Sequence, residues 1–259
     1  MALIETQLDN AIGTIVLTHA RKHNALSREL VSQLVAALDE FCSAGARAVV
    51  LRAMPGAKVW SAGHDVAELP EGRRDPLGWD DPLRNLVRSI ESHPAPIIAM
   101  IEGTVWGGAV ETILACDIVV ATPESTFAVT PARLGVPYNV SGMVTFMSAG
   151  SLRIVKELAF TATPISAERA ERVGMINHVV ALEALEAFCY DMAGTIVANA
   201  PLSVASMKEQ LRVLAGARPV SPRGFEKVQG LRRLVYDSQD YAEGIRAFKE
   251  KRGPRFVGR

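Results

Sequence analysis

Two glycine-bearing strings and one loop of this 259-residue chain hold the residues that could do chemistry. SAGHD, residues 61–65, follows a short apolar strand and a Pro-Gly break. A glycine beside a strand end lets successive backbone N–H groups turn towards a ligand. The same five residues also read as a surface turn, with His64 a solvated or structural histidine. WGGAVE, residues 106–111, places Gly107 and Gly108 at the start of an apolar helix. There the N–H of Gly108 would be an unpaired first-turn donor, able to stabilise an anion or oxyanion. Tight helix–sheet packing accounts for those glycines equally well. Glu111 is the only acid of that helix before Asp117, hence a partly buried carboxylate: a site group or a satisfied structural acid. The loop FAVTPARLGVPYNVSG, residues 127–142, has the turn residues of a pocket wall but no carboxylate, histidine or cysteine. Any chemistry there falls to Thr130, Tyr138 and the prolines Pro131 and Pro137.

The elements that must position these groups follow from periodicity. AIGTIVL, from Ala11 to Leu17, reads as a strand, paired with Leu3 to Leu8 through the Asp9-Asn10 turn. Ser27 caps a predicted helix running to about Ser43, with Leu30, Leu34, Ala37, Leu38 and Phe41 on one face and Gly45 beyond its end. Ala48 to Leu51 is a buried strand. The connection MPGAKVWSAGHDVAELPEGRRDPLGWDD that follows is too long to be passive. Pro82 suits a first helical position. A strand from Ile97 to Ile101, the Gly108 helix to about Cys116 and a strand from Ile118 to Ala121 complete an α/β rhythm. Beyond Val140 helical patterns dominate, with starts at Ser166, Pro201 and Pro222 and a last strand at 177–180. The domain reading is a core over 1–199 and a helical region over 200–259.

Bulk properties bound the function classes. Lys+Arg and Asp+Glu both number 28, so no global field draws nucleic acid or an anionic membrane. Hydrophobic residues at 49% suit a globular enzyme and exclude disorder. No apolar run reaches membrane-spanning length and the first residues lack a signal pattern, which predicts a cytoplasmic protein. Cys42, Cys116 and Cys189 lie far apart and read as buried, reduced thiols. His19 and His23 do not sit on a helix as a zinc pair would, and no nucleotide fingerprint or G-x-S-x-G elbow is present.

Taken together, RKHNALS (21–27), WSAGHD (60–65), IEGTVWGGAVETILACDIVVA (101–121), PISAERAERVGMINHVV (164–180) and SQDYAEGIRAFKEKRGPRF (238–256) resemble the crotonase (enoyl-CoA hydratase/isomerase) superfamily along essentially the whole chain. That resemblance implies an α/β spiral of repeated strand–strand–helix turns, with C-terminal helices assembling a homotrimer or a dimer of trimers. It implies an acyl-CoA substrate whose enolate is held by the backbone N–H groups of His64 and Gly108. It further implies CoA contacts from Ala25, Leu26, Ala62, Gly63, Asp65 and Lys251, Lys251 reaching across to an adjoining subunit. Coenzyme A then belongs to the substrate, and no separate cofactor or metal is expected.

The family's hydratases generally carry two glutamates. The first matches Glu111; alignment of Phe127 and Gly135 puts Pro131 where the second would stand. SAGHD, RDPL, DDPLR, WGGA, TP-x-x-LGVPYN and YDS instead resemble a bacterial decarboxylating branch, implying conversion of methylmalonyl-CoA to propionyl-CoA. Decarboxylation needs no base, since departing carbon dioxide leaves the electron pair behind. On this reading Tyr138 and Thr130 orient the substrate carboxylate and Pro131 keeps a second anion away. Glu111 and the His64 side chain remain alternative acids, and hydration or isomerisation using Glu111 alone remains the competing reaction.

Overall fold

The computed structural model describes residues 2–70, 72, 74–217 and 219–259. Its strands in chain order are β1 (Ile4–Asp9), β2 (Ile12–Leu17), β3 (Ala48–Ala53), β4 (Val59–Ser61), β5 (Ile97–Ile101), β6 (Thr104–Trp106), β7 (Ile118–Ala121), β8 (Thr126–Ala128), β9 (Ile165–Ser166) and β10 (His178–Val179). Its helices are α1 (Arg28–Ser43), α2 (Pro82–Ser92), α3 (Gly108–Ala115), α4 (Val140–Ala149), α5 (Leu152–Thr161), α6 (Ala167–Arg172), α7 (Leu182–Ala198), α8 (Pro201–Gly216), α9 (Pro222–Tyr236) and α10 (Gln239–Lys249).

Every residue of β3 and β5 is buried, as expected of central parallel strands covered on both faces. The two-residue period divides them cleanly. Val49, Leu51, Ile97, Ala99 and Ile101 enter the main core, whereas Ala48, Val50, Ile98 and Met100 face a second core built on Leu185, Cys189 and Ala193 of α7. The larger sheet runs β1-β2-β3-β5-β7-β10, parallel except for the β1–β2 hairpin. The smaller runs β4-β6-β8-β9, parallel except at β8–β9.

Each turn of the chain therefore gives one strand to the large sheet, a short one to the small sheet, and then a helix: β3-β4-α2, β5-β6-α3, β7-β8-α4. This is the expected spiral. The bend between β5 and β6 needs Gly103, whose φ is +88° and whose absent Cβ leaves room for the carbonyl of Lys58. Side-chain caps mark the helix starts: Ser27 accepts from Leu30 N–H and Asp81 from Leu83 N–H, with Pro82 as first helical residue.

Two expectations are corrected, those for Cys42 and for the connection before α2. Cys42 is exposed rather than buried. Ile245 is buried with Tyr241 in the main core, so α10 packs against the rest of the chain. The connection from Met54 to Asp81 is not all loop: it contains β4 and a 3-10 turn at Val66–Glu68, while its residues Glu71 and Arg73 lie outside the described residues.

Candidate active site

SAGHD leaves β4 and meets the start of α3 face to face. Gly63 (φ +82°) is pinned by its own backbone: its N–H donates to Ser61 Oγ (3.2 Å) and its carbonyl accepts from Leu26 N–H (2.8 Å). A Cβ on Gly63 would meet the carbonyl of Trp106 and lie 2.8 Å from Gly108 N. A Cβ on Gly108 would lie 2.7 Å from Leu83 and 3.5 Å from His64 N. Both glycines are thus required by close approach. The result is two neighbouring backbone N–H groups, of His64 and of Gly108, for which no acceptor exists among the described residues. The second sits at the positive end of α3.

These groups open on a cavity of about 510 Å³, a size ordinary for a ligand site. Ala25, Ala62, His64, Asp65, Gly108, Thr130 and Tyr138 line it, so seven of the expected site residues converge. Leu26 and Gly63 stand immediately behind, tied together by the bond above. Glu111 is fully buried and does not line the cavity. Lys251, at the exposed end of α10 with φ 54°, lies outside the lining as well, although Phe248 of the same helix is part of it.

The carboxylate on the cavity lining is already paired. Asp65, its lining carboxylate among the described residues, accepts from Lys22 Nζ (3.0 Å) and Ala67 N–H (3.1 Å). The His64 ring faces acceptors at both nitrogens: Nε2 lies 2.7 Å from Asp81 Oδ2 and Nδ1 lies 3.2 Å from the Asp65 carbonyl. Burial pulls this imidazole towards neutrality, but the bond and charge of Asp81, with help from that carbonyl, hold it above its ordinary value. A doubly donating imidazolium satisfies both contacts. It has no lone pair with which to act as a base.

Behind the Tyr138 wall lies a buried network that sequence reasoning missed. Tyr138 donates its hydroxyl to Glu111 Oε2 at 2.6 Å, and Arg84 of α2 pairs with Glu111 Oε1. Burial raises the Glu111 carboxyl, opposed by the Arg84 charge and the Tyr138 bond. Burial and the neighbouring Glu111 charge push the Tyr138 phenol well above its usual range, so it stays protonated. Its ring is fixed edge-to-face on Phe146, centroids 5.4 Å apart. DDPLR thus carries Asp81, Leu83 and Arg84 to the site, where the sequence signals a helix start and a family resemblance but no role for any of the three. An arginine beside the apolar stripe Leu83, Leu86, Val87, Ile90 was the one available sign.

The sequence profile of enoyl-CoA hydratase/isomerase proteins matches residues 7–259. The methylmalonyl-CoA decarboxylase of Escherichia coli (strain K12) is 51% identical over 249 residues, covering 96% of this chain and 95% of the relative. A crystal structure of a methylmalonyl-CoA decarboxylase in complex with 2-nitronate-propionyl-CoA superposes with a TM-score of 0.98 at 49% identity, covering 100% of this chain and 99% of that one. A second, complexed with 2S-carboxypropyl-CoA, gives the same values. By sequence and by architecture, the chain belongs to the enoyl-CoA hydratase/isomerase family.

Proposed function

We propose that the protein decarboxylates methylmalonyl-CoA to propionyl-CoA. The observation that carries this reading is a cavity with two free enolate-stabilising donors and, among the described residues, no unpaired carboxylate on its lining. Asp65 is paired, both ring nitrogens of His64 lie within hydrogen-bond distance of acceptors at Asp81 and the Asp65 carbonyl, and Glu111 is buried against Tyr138. Hydration and isomerisation need a base at the reacting carbon; decarboxylation does not. The bond from the α-carbon to the carboxylate breaks, carbon dioxide departs, and the electron pair passes into the thioester carbonyl. The resulting oxyanion is stabilised by the N–H groups of His64 and Gly108, each such donor being worth about 2.7–4 kcal/mol. One proton then reaches the α-carbon to give propionyl-CoA. No cofactor beyond the thioester's own CoA is required. The likeness to the Escherichia coli relative supports both the reaction and the substrate.

Orientation is the remaining task, because the breaking bond must stand out of the carbonyl plane. Thr130 and Tyr138, neutral hydroxyls on the cavity wall, supply it. Lys22 and Arg133, also on the lining, place positive charge for CoA phosphates. The functional unit on this reading is a homotrimer or a dimer of trimers, supported by the apolar residues that α8 and α9 leave exposed, Leu211 and Leu214 among them.

Incubation of the pure protein with malonyl-, methylmalonyl- and crotonyl-CoA, with products followed by mass, tests the reaction. Loss of carbon dioxide from methylmalonyl-CoA is expected. Faster addition of water to crotonyl-CoA would reject decarboxylation as the activity.

A further inference from the structure

Tyr138 has one hydroxyl proton and two possible acceptors for it. We infer that Glu111, held by Arg84, is a positioning residue that competes with the substrate carboxylate for the Tyr138 hydrogen and so keeps ground-state grip on that carboxylate weak. The inference rests on the decarboxylase reading above.

The geometry leaves little else for Glu111 to do. The side chain is wholly buried, outside the cavity lining, and bonded to one cavity-lining residue, Tyr138. Its two oxygens have distinct partners: Oε1 takes Arg84, Oε2 takes Tyr138 at 2.6 Å. Arg84 is itself 5% exposed, so the pair sits in low dielectric and holds charge that water does not screen. A carboxylate so placed is a strong acceptor. In the empty site the Tyr138 hydrogen therefore points into the protein, and the phenol offers lone pairs to the other side.

An arriving substrate carboxylate must win that hydrogen. When the hydroxyl turns, Glu111 keeps Arg84, so the exchange strands no buried charge. The gain is the difference between two charge-assisted hydrogen bonds instead of the whole of one. That matters because a firm bond to the carboxylate is made in the ground state and lost as charge moves to the thioester oxygen. Such a bond would slow the step it accompanies. When carbon dioxide leaves, the hydroxyl swings back to Glu111 Oε2.

The test compares the dissociation constants of 2S-carboxypropyl-CoA, which carries the carboxylate, and propionyl-CoA, which lacks it. Glu111→Gln weakens the internal acceptor. Arg84→Gln/Glu111→Gln does so without leaving a buried cation unpaired. In both, affinity for 2S-carboxypropyl-CoA should rise about tenfold, the scale of one charge-assisted hydrogen bond, while affinity for propionyl-CoA holds. The decarboxylation kcat should fall together with KM. In a Tyr138→Phe background the tenfold gain should vanish, which a merely structural role for Glu111 would not produce. In the wild-type protein, the Tyr138 Cζ carbon resonance should shift with 2S-carboxypropyl-CoA and stay put with propionyl-CoA. An unchanged affinity ratio, a gain that survives Tyr138→Phe, or a silent Tyr138 resonance would each overturn the inference. Absence of carbon dioxide release by the wild type would instead reject the activity, and the binding cycle reads out independently of it.

Discussion

Pro131 stands where the family resemblance places the second glutamate of the hydratases. Pro131 lines the cavity directly after Thr130 and opens a 3-10 turn that ends at Leu134. Glutamate would fit that turn, since proline there forgoes only an N–H that the turn does not use. Its charge would face the substrate carboxylate. At a separation of about 5 Å and an effective dielectric near 20, two like charges repel by about 3 kcal/mol, more than a hundredfold in rate. Pro131→Glu should therefore lower kcat/KM for decarboxylation by that order, and undiminished turnover would end the charge-exclusion argument. Tyr138→Phe should lower kcat and leave the affinity for propionyl-CoA alone, because that ligand has no carboxylate to orient. Steady-state rates within twofold of wild type would remove Tyr138 from the mechanism. The buried Glu111 oxygen then loses its partner, so a stability loss of about 1–3 kcal/mol should accompany the change.

The first turn of α2 is the element on which the site converges. Asp81 caps it through Oδ1 to Leu83 N–H (2.9 Å) and holds His64 through Oδ2. Leu83 packs over Gly108, and Arg84 reaches Glu111. The connection leading into this turn is tied down from the other side by Arg232 to Asp75 (2.7 Å), by Tyr241 hydroxyl to the Pro70 carbonyl (2.6 Å), and by Asn139 to the Leu77 carbonyl (3.1 Å). Asp81→Asn keeps an N-cap acceptor but removes the charge facing His64. Because the folded His64 value lies above the unfolded 6.5, its pairing stabilises fully below pH 6.5 and is lost as pH rises through the folded value. Denaturant midpoints should thus differ most between wild type and Asp81→Asn near pH 6 and converge at alkaline pH. A gap that widens with pH would contradict an imidazolium paired to Asp81.

The same turn shows what sequence could and could not convey. Its start was legible from Pro82, as the α1 start was from Ser27, because capping is local chemistry. His64 and Gly108 were singled out through the family resemblance and Thr130 and Tyr138 as the hydroxyls of a loop without acids, and all four line the cavity. Asp81 and Arg84 were not singled out, since their partners lie 17 and 27 residues away and only the folded spiral brings them together. The strands β4, β6 and β8 were missed for a related reason. Three residues are too few to display alternation, and pairing alone defines them.

For the whole molecule the open question is what covers α8 and α9. Burial is uneven along the C-terminal third. In α10, Tyr241, Ile245 and Ala247 are buried, whereas Leu202, Leu211, Leu214 and Leu234 on α8 and α9 are 84%, 68%, 71% and 70% exposed. Removing everything after Ala200 would therefore strip Tyr241 and Ile245 from the core and unfold the subunit, confusing assembly with stability. Point changes on the exposed residues avoid this. Covering a Leu side chain is worth about 1.5–3 kcal/mol, so a handful of them can outweigh an association cost of about 4–15 kcal/mol, but two fewer tips the balance. Leu214→Glu/Leu234→Glu should leave the thermal transition of the isolated subunit intact, because neither side chain belongs to its core. In sedimentation velocity the wild type should run as a trimer or hexamer and the double variant as a monomer. A wild type that sediments as a fully active monomer would show that these residues face solvent and that each cavity works alone.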